Sequence, residues 1–135
     1  TGNTANIEKA AIDYDALIEE AGNIDIQLLG IGVNGHIGFN EPGTPFELGT
    51  NVIELAESTR EANKIYFDSI NDVPTHAITM GIKTIMKSKK IVLLIAGAAK
   101  QEAFDRLRSG EVTEDFPASV LHHHPDVTII YTGVE

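Results

Sequence analysis

Leu28-Leu29-Gly30-Ile31-Gly32-Val33-Asn34-Gly35-His36-Ile37-Gly38-Phe39-Asn40-Glu41-Pro42-Gly43 leaves an apolar run and enters a glycine-rich turn. The run, Ile24–Leu29, reads as a buried strand. Gly30, Gly32 and Gly35 then form G-x-G-x-x-G, with Glu54 about twenty residues on, near the end of a second extended stretch. On spacing alone this is a dinucleotide-binding fingerprint. That site, however, needs its last glycine to open a helix whose N-terminus meets a pyrophosphate. Gly38, Pro42, Gly43 and Pro45 leave no room for such a helix. Gly30–Gly49, with six Gly and two Pro, is therefore a long loop at the carboxyl end of a strand.

Elements of alternating type surround it. Ile7, Ala10, Ala11, Tyr14, Leu17, Ile18 and Ala21 recur at helical spacing, and Gly22-Asn23 supplies a C-terminal stop. Asn51–Leu55 reads as a short strand. Ser58 with Glu61 forms a capping box, and Ala62, Ile65 and Tyr66 give one face of the following helix. Thr75–Met80 reads as extended and Ile82–Met86 as a short helix. Lys90–Ala96 is a continuous β-branched and Leu run of the kind buried on both faces. Ala98–Arg108 is helical up to Gly110, Pro117–His122 makes about one turn, and Val127–Tyr131 is a last strand. Strands alternating with helices predict an α/β domain with a mainly parallel sheet. Such sheets bind ligands at the carboxyl ends of their strands. The loop after Leu29 and the turn after Ala96 are the two places to look.

The composition limits the partners. The 135 residues are 42% hydrophobic and 22% charged, which suits one soluble globular domain. No apolar run approaches the roughly 18 residues of a membrane span. Ten basic against twenty acidic residues give a net charge of −10, with no Lys/Arg stripe. Nucleic acid and anionic membranes are poor partners for such a surface. Cys is absent and no signal peptide is visible, which fits a reducing compartment, the cytoplasm. The sequence begins Thr1-Gly2-Asn3 without Met and reads as processed or as a piece of something longer.

Within the loop, His36 and Glu41 stand five apart, with Asn34 and Asn40 alongside. Imidazole shuttles protons near neutral pH, and a carboxylate can orient it and stabilise its charged form. Glycines such as Gly35 let the backbone approach a ligand closely. Lys100 follows strand–Gly97-Ala98-Ala99 in the first turn of a helix, where backbone N–H groups and a lysine charge together favour an anion. His122-His123-His124 could suggest a metal, but adjacent histidines rarely converge and no carboxylate spacing supports them, so no metal site is expected. His76, near the start of a strand, reads as packed or capping.

The run Leu28–Gly43 resembles the signature of the glucosamine-6-phosphate deaminases. The resemblance continues through Thr59-Arg60-Glu61-Ala62-Asn63, Ala77–Ile82, Gly97–Lys100 and Pro117–Leu121, and covers essentially all 135 residues. It implies a three-layer α/β/α sandwich with a Rossmann-like sheet. It also implies a cofactor-free reaction: ring opening of glucosamine 6-phosphate, aldose–ketose isomerisation, and release of ammonia to give fructose 6-phosphate. By this resemblance His36 is the ring-opening acid/base, Glu41 the carboxylate paired with it, and Asn34 a third position that is Asp in some members and Asn in Bacillus-like ones. Lys100 matches a phosphate-binding lysine, and Gly35 is assigned to substrate binding. His124-Pro125 matches a structural His-Pro.

The same resemblance marks departures. Members begin with a further stretch, nearly half the enzyme, that carries a Gly-rich phosphate loop and a Leu-Asp-Glu-Tyr motif whose Asp is the base for C1/C2 proton transfer. Neither motif occurs here, so residues 1–135 read as one domain fragment, the second half of such an enzyme. Ile65 stands where members usually carry a phosphate-binding Arg, and Lys64 beside it points about 100° away on a helix. Leu48-Gly49 replaces a common Ser-Arg. Asn51-Val52-Ile53 lacks the Arg-x-Lys pair through which hexameric members answer N-acetylglucosamine 6-phosphate. The expectation is a monomer or small homo-oligomer with no such effector. Two alternatives are a 6-phosphogluconolactonase, whose loop lacks Phe-Asn-Glu-Pro, and a non-catalytic sugar-phosphate effector domain, which would have no use for a His36/Glu41 pair.

Overall fold

A computed structural model describes residues 4–133. In chain order it holds α1 (Ile7–Glu20), β1 (Ile26–Gly30), β2 (Asn51–Glu54), α2 (Glu57–Asn63), β3 (His76–Thr79), α3 (Ile82–Met86), β4 (Lys90–Ala96), α4 (Gln101–Arg108) and β5 (Val127–Thr132). Short 3-10 turns fill Lys64–Tyr66, Ile70–Asp72, Ala98–Lys100 and Pro117–His123. The strands form a parallel sheet of order β1-β4-β5 and a separate antiparallel pair, β2-β3. The fold is α/β with a mainly parallel, Rossmann-like sheet.

The register explains where the core lies. Leu29 pairs with Leu93 and Leu93 with Ile129, so residues sharing a row share a face. Ile91, Leu93 and Ile95 are fully buried on one face, together with Leu29. Against them pack Ile82 and Ile85 of α3, Ala103 and Leu107 of α4, Ile37 of the glycine-rich loop, and Phe116, Val120 and Leu121. Each of the Ile, Leu, Val and Phe side chains contributes roughly 1.5–3 kcal/mol by leaving water. Phe104 of α4 stacks on Tyr131 of β5, with ring centroids 3.9 Å apart, and holds the last strand to that layer.

The opposite face of the sheet differs from the expectation of full burial. Leu94 is 41% exposed, Leu28 64% and Ile130 49%, all on the row set that faces away from α3 and α4. Both the strand read over Ile24–Leu29 and that over Lys90–Ala96 are thus buried on one side. Their near-continuous apolar sequence suits a strand with layers on both faces, but the described residues supply helices to only one of them.

Two helices also correct their sequence readings. In α1 the apolar stripe is mostly outside: Ala11 is buried, but Tyr14 and Leu17 are exposed. The inward position is taken by Asp15, whose carboxylate accepts from Thr50 N at 2.8 Å, Thr84 Oγ1 at 2.8 Å and Thr50 Oγ1. A hydrogen-bonded carboxylate, invisible to apolar periodicity, fastens α1 to β2 and α3. α2 starts at Glu57 with Ala56 in the capping position and no side-chain cap, so Ser58 lies inside the first turn and the Ser58/Glu61 box does not form. The helix ends at Asn63, leaving Ala62 exposed and the Ile65 and Tyr66 side chains out in solvent.

The asymmetry of the sheet is measurable. Leu94→Thr together with Ile130→Thr is expected to lower binding of a hydrophobic dye several-fold while changing urea stability by under about 1 kcal/mol, the usual range for surface positions. Leu93→Ala, on the buried face, is expected to cost about 2–5 kcal/mol. Equal stability losses at Leu93 and Leu94 in urea titrations would overturn this account.

Candidate active site

Parallel pairing of β1 with β4 sets their carboxyl ends side by side, Gly30 opposite Leu94. The loop that follows Gly30 and the turn that follows Ala96 therefore emerge at one edge of the sheet. The loop's first bend is closed by Gly35 N donating to Gly32 O at 3.0 Å and Gly32 N donating to His36 O at 2.9 Å. Gly35 has φ +87°, a left-handed conformation that favours glycine, and Phe116 fills the space a side chain there would need. The imidazole of His36 lies against Gly32, where a methyl group would overlap the ring.

Three side chains of this loop meet. Asn34 Nδ2 donates to Glu41 Oε2 at 2.8 Å, Asn34 Oδ1 is 2.8 Å from His36 Nδ1, and His36 Nδ1 is 3.4 Å from Glu41 Oε1. The chemistry of the donors fixes the protons. An ionised carboxylate only accepts, so the Asn34 group facing Glu41 is its NH₂. The group facing His36 is then the carbonyl oxygen, which accepts from the backbone N–H of His36 at 3.2 Å as well as from ring Nδ1–H. The neutral imidazole carries its proton on Nδ1, leaving Nε2 as a lone pair with no hydrogen-bond partner among the described residues. Protonation at Nε2 gives an imidazolium beside Glu41. The trio can thus take up and return one proton at the free nitrogen of a partly exposed ring.

The loop is held from outside by Glu114, Phe116 and Ala118, a role the sequence reading did not assign to them. Ala118 N donates to Gly35 O at 2.9 Å, and Gly43 N to Glu114 O at 2.9 Å. Phe46 N donates to the Glu114 carboxylate at 3.1 Å. Phe116, buried beneath Gly35 and with the Arg106 guanidinium 4.7 Å from its ring centre, supports the same bend. The bonds at Gly43, Gly35 and to the Glu114 carbonyl are main-chain bonds that any residues could make, so spacing carries no signal for them.

The remaining candidates lie as follows. Lys100 ends the Ala98–Lys100 turn, its N–H donating to Gly97 O at 3.0 Å, and it stands at the start of α4 rather than inside a longer helix. Its ammonium forms no ion pair among the described residues. Ile65, 79% exposed, sits at the tip between α2 and β3 and offers only hydrocarbon. His76 is exposed, bonded to Thr75 Oγ1 at 2.9 Å, rather than packed. Of the three adjacent histidines, His122 and His124 take separate partners: His122 Nε2 is 2.7 Å from Leu107 O, while His124 Nε2 is 2.6 Å from Ser88 O and its Nδ1 accepts from Asp126 N.

The tautomer has a direct test. In ¹⁵N NMR of the neutral chain, the His36 ring is expected to show the Nδ1–H form as the major one. Asn34→Ala should lower its ratio to the Nε2–H form about five-fold, the worth of one ordinary hydrogen bond. A wild-type ring protonated chiefly at Nε2 would refute the assignment.

Comparison with known proteins identifies the family. Residues 1–130 match the family model described as glucosamine-6-phosphate isomerases/6-phosphogluconolactonase. A glucosamine-6-phosphate deaminase of Lysinibacillus sphaericus is 68% identical over 120 residues, covering 89% of this chain and 51% of the relative. The solved structure of a monomeric glucosamine-6-phosphate deaminase superposes with a TM-score of 0.87 at 55% identity, covering 96% of this chain and 54% of that one. A 6-phosphogluconolactonase from Trypanosoma cruzi superposes with a TM-score of 0.65 at 19% identity, over 95% of this chain and 52% of that one, a likeness of fold alone. The chain spans about half the length of the relatives it matches. It belongs to the glucosamine-6-phosphate isomerase/6-phosphogluconolactonase family.

Proposed function

We propose that residues 1–135 are a domain fragment of a glucosamine-6-phosphate deaminase of the Bacillus-like type, acting in the cytoplasm on a sugar phosphate. The observation that carries the reading is the His36–Asn34–Glu41 trio, with Nε2 of His36 left open at the carboxyl edge of the sheet. A pyranose opens when its 1-hydroxyl loses a proton and its ring oxygen gains one. A single imidazole nitrogen that accepts and then donates performs both halves. Glu41 stabilises the intermediate imidazolium, and Asn34 keeps Nδ1 engaged so that Nε2 is the nitrogen that exchanges. Gly35 lets the backbone come close to the sugar, and Lys100 with the N–H groups at the start of α4 receives the phosphate. With Ile65 in place of a second cation, the phosphate is held by fewer charges. Every proton in this scheme is carried by a side chain, without a metal or organic cofactor.

The Phe39-Asn40-Glu41-Pro42 segment favours the deaminase over a lactonase. Glu41 is in contact with Asn34 and with His36, so the segment that distinguishes the two readings is the one that completes the trio.

Ammonia release from glucosamine 6-phosphate tests the proposal. The 135-residue chain alone is expected to show no significant turnover, because it holds no base for the C1/C2 transfer and one phosphate loop fewer than the enzyme it resembles. Joined to the half that its deaminase relatives carry in addition, it should turn over. In that protein His36→Ala should lower kcat by roughly 10²–10⁴ on glucosamine 6-phosphate and by less on an open-chain analogue. Full activity of the 135 residues alone, or equal losses on both substrates, would contradict the assigned roles.

Regulation has its own measurement. Asn51 and Ile53 offer a phosphorylated effector no charge-assisted hydrogen bond, and coupling needs a difference in affinity between two states. Substrate saturation of the joined protein is expected to be hyperbolic and unmoved by N-acetylglucosamine 6-phosphate. A sigmoidal curve made hyperbolic by that ligand would place an effector site elsewhere.

A further inference from the structure

We infer that Asn40, supported by Thr79, is the positioning residue that sets the distance between His36 and Glu41; this deepens the reading of His36 as the proton-transfer residue. His36 and Glu41 are five residues apart in a loop without regular structure, and something must fix both ends of that span. Ile37 follows His36 and Asn40 precedes Glu41. These two form an isolated antiparallel bridge around Gly38-Phe39, closed by Asn40 N donating to Ile37 O at 3.1 Å. The Asn40 side chain doubles the closure, Nδ2 donating to Ile37 O at 2.9 Å, and sends a further bond from Nδ2 to Met80 O at 2.9 Å. Asn40 is 1% exposed and Ile37 fully buried, so the Ile37 carbonyl has no water as a ready substitute. At the middle of the span Phe39 N donates to Thr79 Oγ1 at 3.1 Å, and Thr79 is itself buried.

Few side chains can do this. Two carbonyl oxygens need two donors from one short planar group, which Asn has. Asp has none when ionised, Ala has none, and Gln carries its amide one methylene too far. The bonds to Met80 and Thr79 also anchor the span to the end of β3, a strand outside the loop. The consequence runs through contacts already described: Asn40 places Glu41, Glu41 holds the Asn34 NH₂, the Asn34 carbonyl then faces His36, and His36 keeps its proton on Nδ1. The imidazole is hydrogen-bonded to neither Asn40 nor Thr79.

The His36 tautomer reads this chain of contacts in the 135-residue protein without substrate. Asn40→Asp and Thr79→Val are expected to lower the ratio of Nδ1–H to Nε2–H forms in ¹⁵N NMR about five- to tenfold. Thr79→Ser keeps the hydroxyl and is expected to stay within about twofold of wild type. Thr84→Val removes an equally buried hydroxyl, bonded to Asp15 Oδ1 of α1, and is expected to lower urea stability without moving the ratio. Should Asn40→Asp fail to fold, the Thr79 pair decides. A wild-type ratio in folded Thr79→Val, or a shift in Thr84→Val as large as that in Thr79→Val, would overturn the inference. Because no turnover is read, absence of ammonia release in the joined protein would refute the proposed reaction and leave this result standing.

Discussion

The parallel pairing of β1 with β4 is the constraint on which the rest depends. It is a main-chain ladder, five residues long, made of groups every residue carries. Because the two strands run the same way, whatever leaves one leaves beside whatever leaves the other. The twenty-residue stretch between β1 and β2 would otherwise be free to wander. Here it is confined to the sheet edge where a lysine-bearing turn also begins. The buried row of Ile91, Leu93 and Ile95 supplies the energy, and the ladder supplies the direction.

Much of this was legible in the residues. The β-branched and Leu run of Lys90–Ala96 announced its strand within the correct bounds, and the glycines and prolines after Leu29 ruled out a helix there. His36, Asn34 and Glu41 were found by type and spacing, and they meet because a short loop with two tight bends brings positions two and five apart together. What escaped was of another kind. Periodicity counts apolar residues, so it placed Tyr14 and Leu17 on the inner face of α1 and overlooked Asp15, whose partners Thr50 and Thr84 are distant in sequence. The Ser58/Glu61 pattern has the right spacing for a cap, yet α2 begins two residues earlier than that cap requires, and a local motif cannot report which of two nearby starts the chain takes.

The exposed face of the sheet makes a related point. Apolar sequence states that a strand is suited to burial on both sides; it does not state which polypeptide provides the cover. Leu28, Leu94 and Ile130 share one row set, and the family to which the chain belongs has members about twice its length. Patterning thus states what a strand suits, not what lies over it.

Gly32 carries a last consequence. The imidazole of His36 occupies the volume that any larger residue at position 32 would fill. The residue contributes to the site by what it leaves empty. Experiments that probe sites by deleting atoms are blind to such a position, since the standard replacement by alanine adds one. Its importance would register as a steric intrusion, appearing among substitutions usually regarded as mild, while the polar neighbours that make contacts attract the attention.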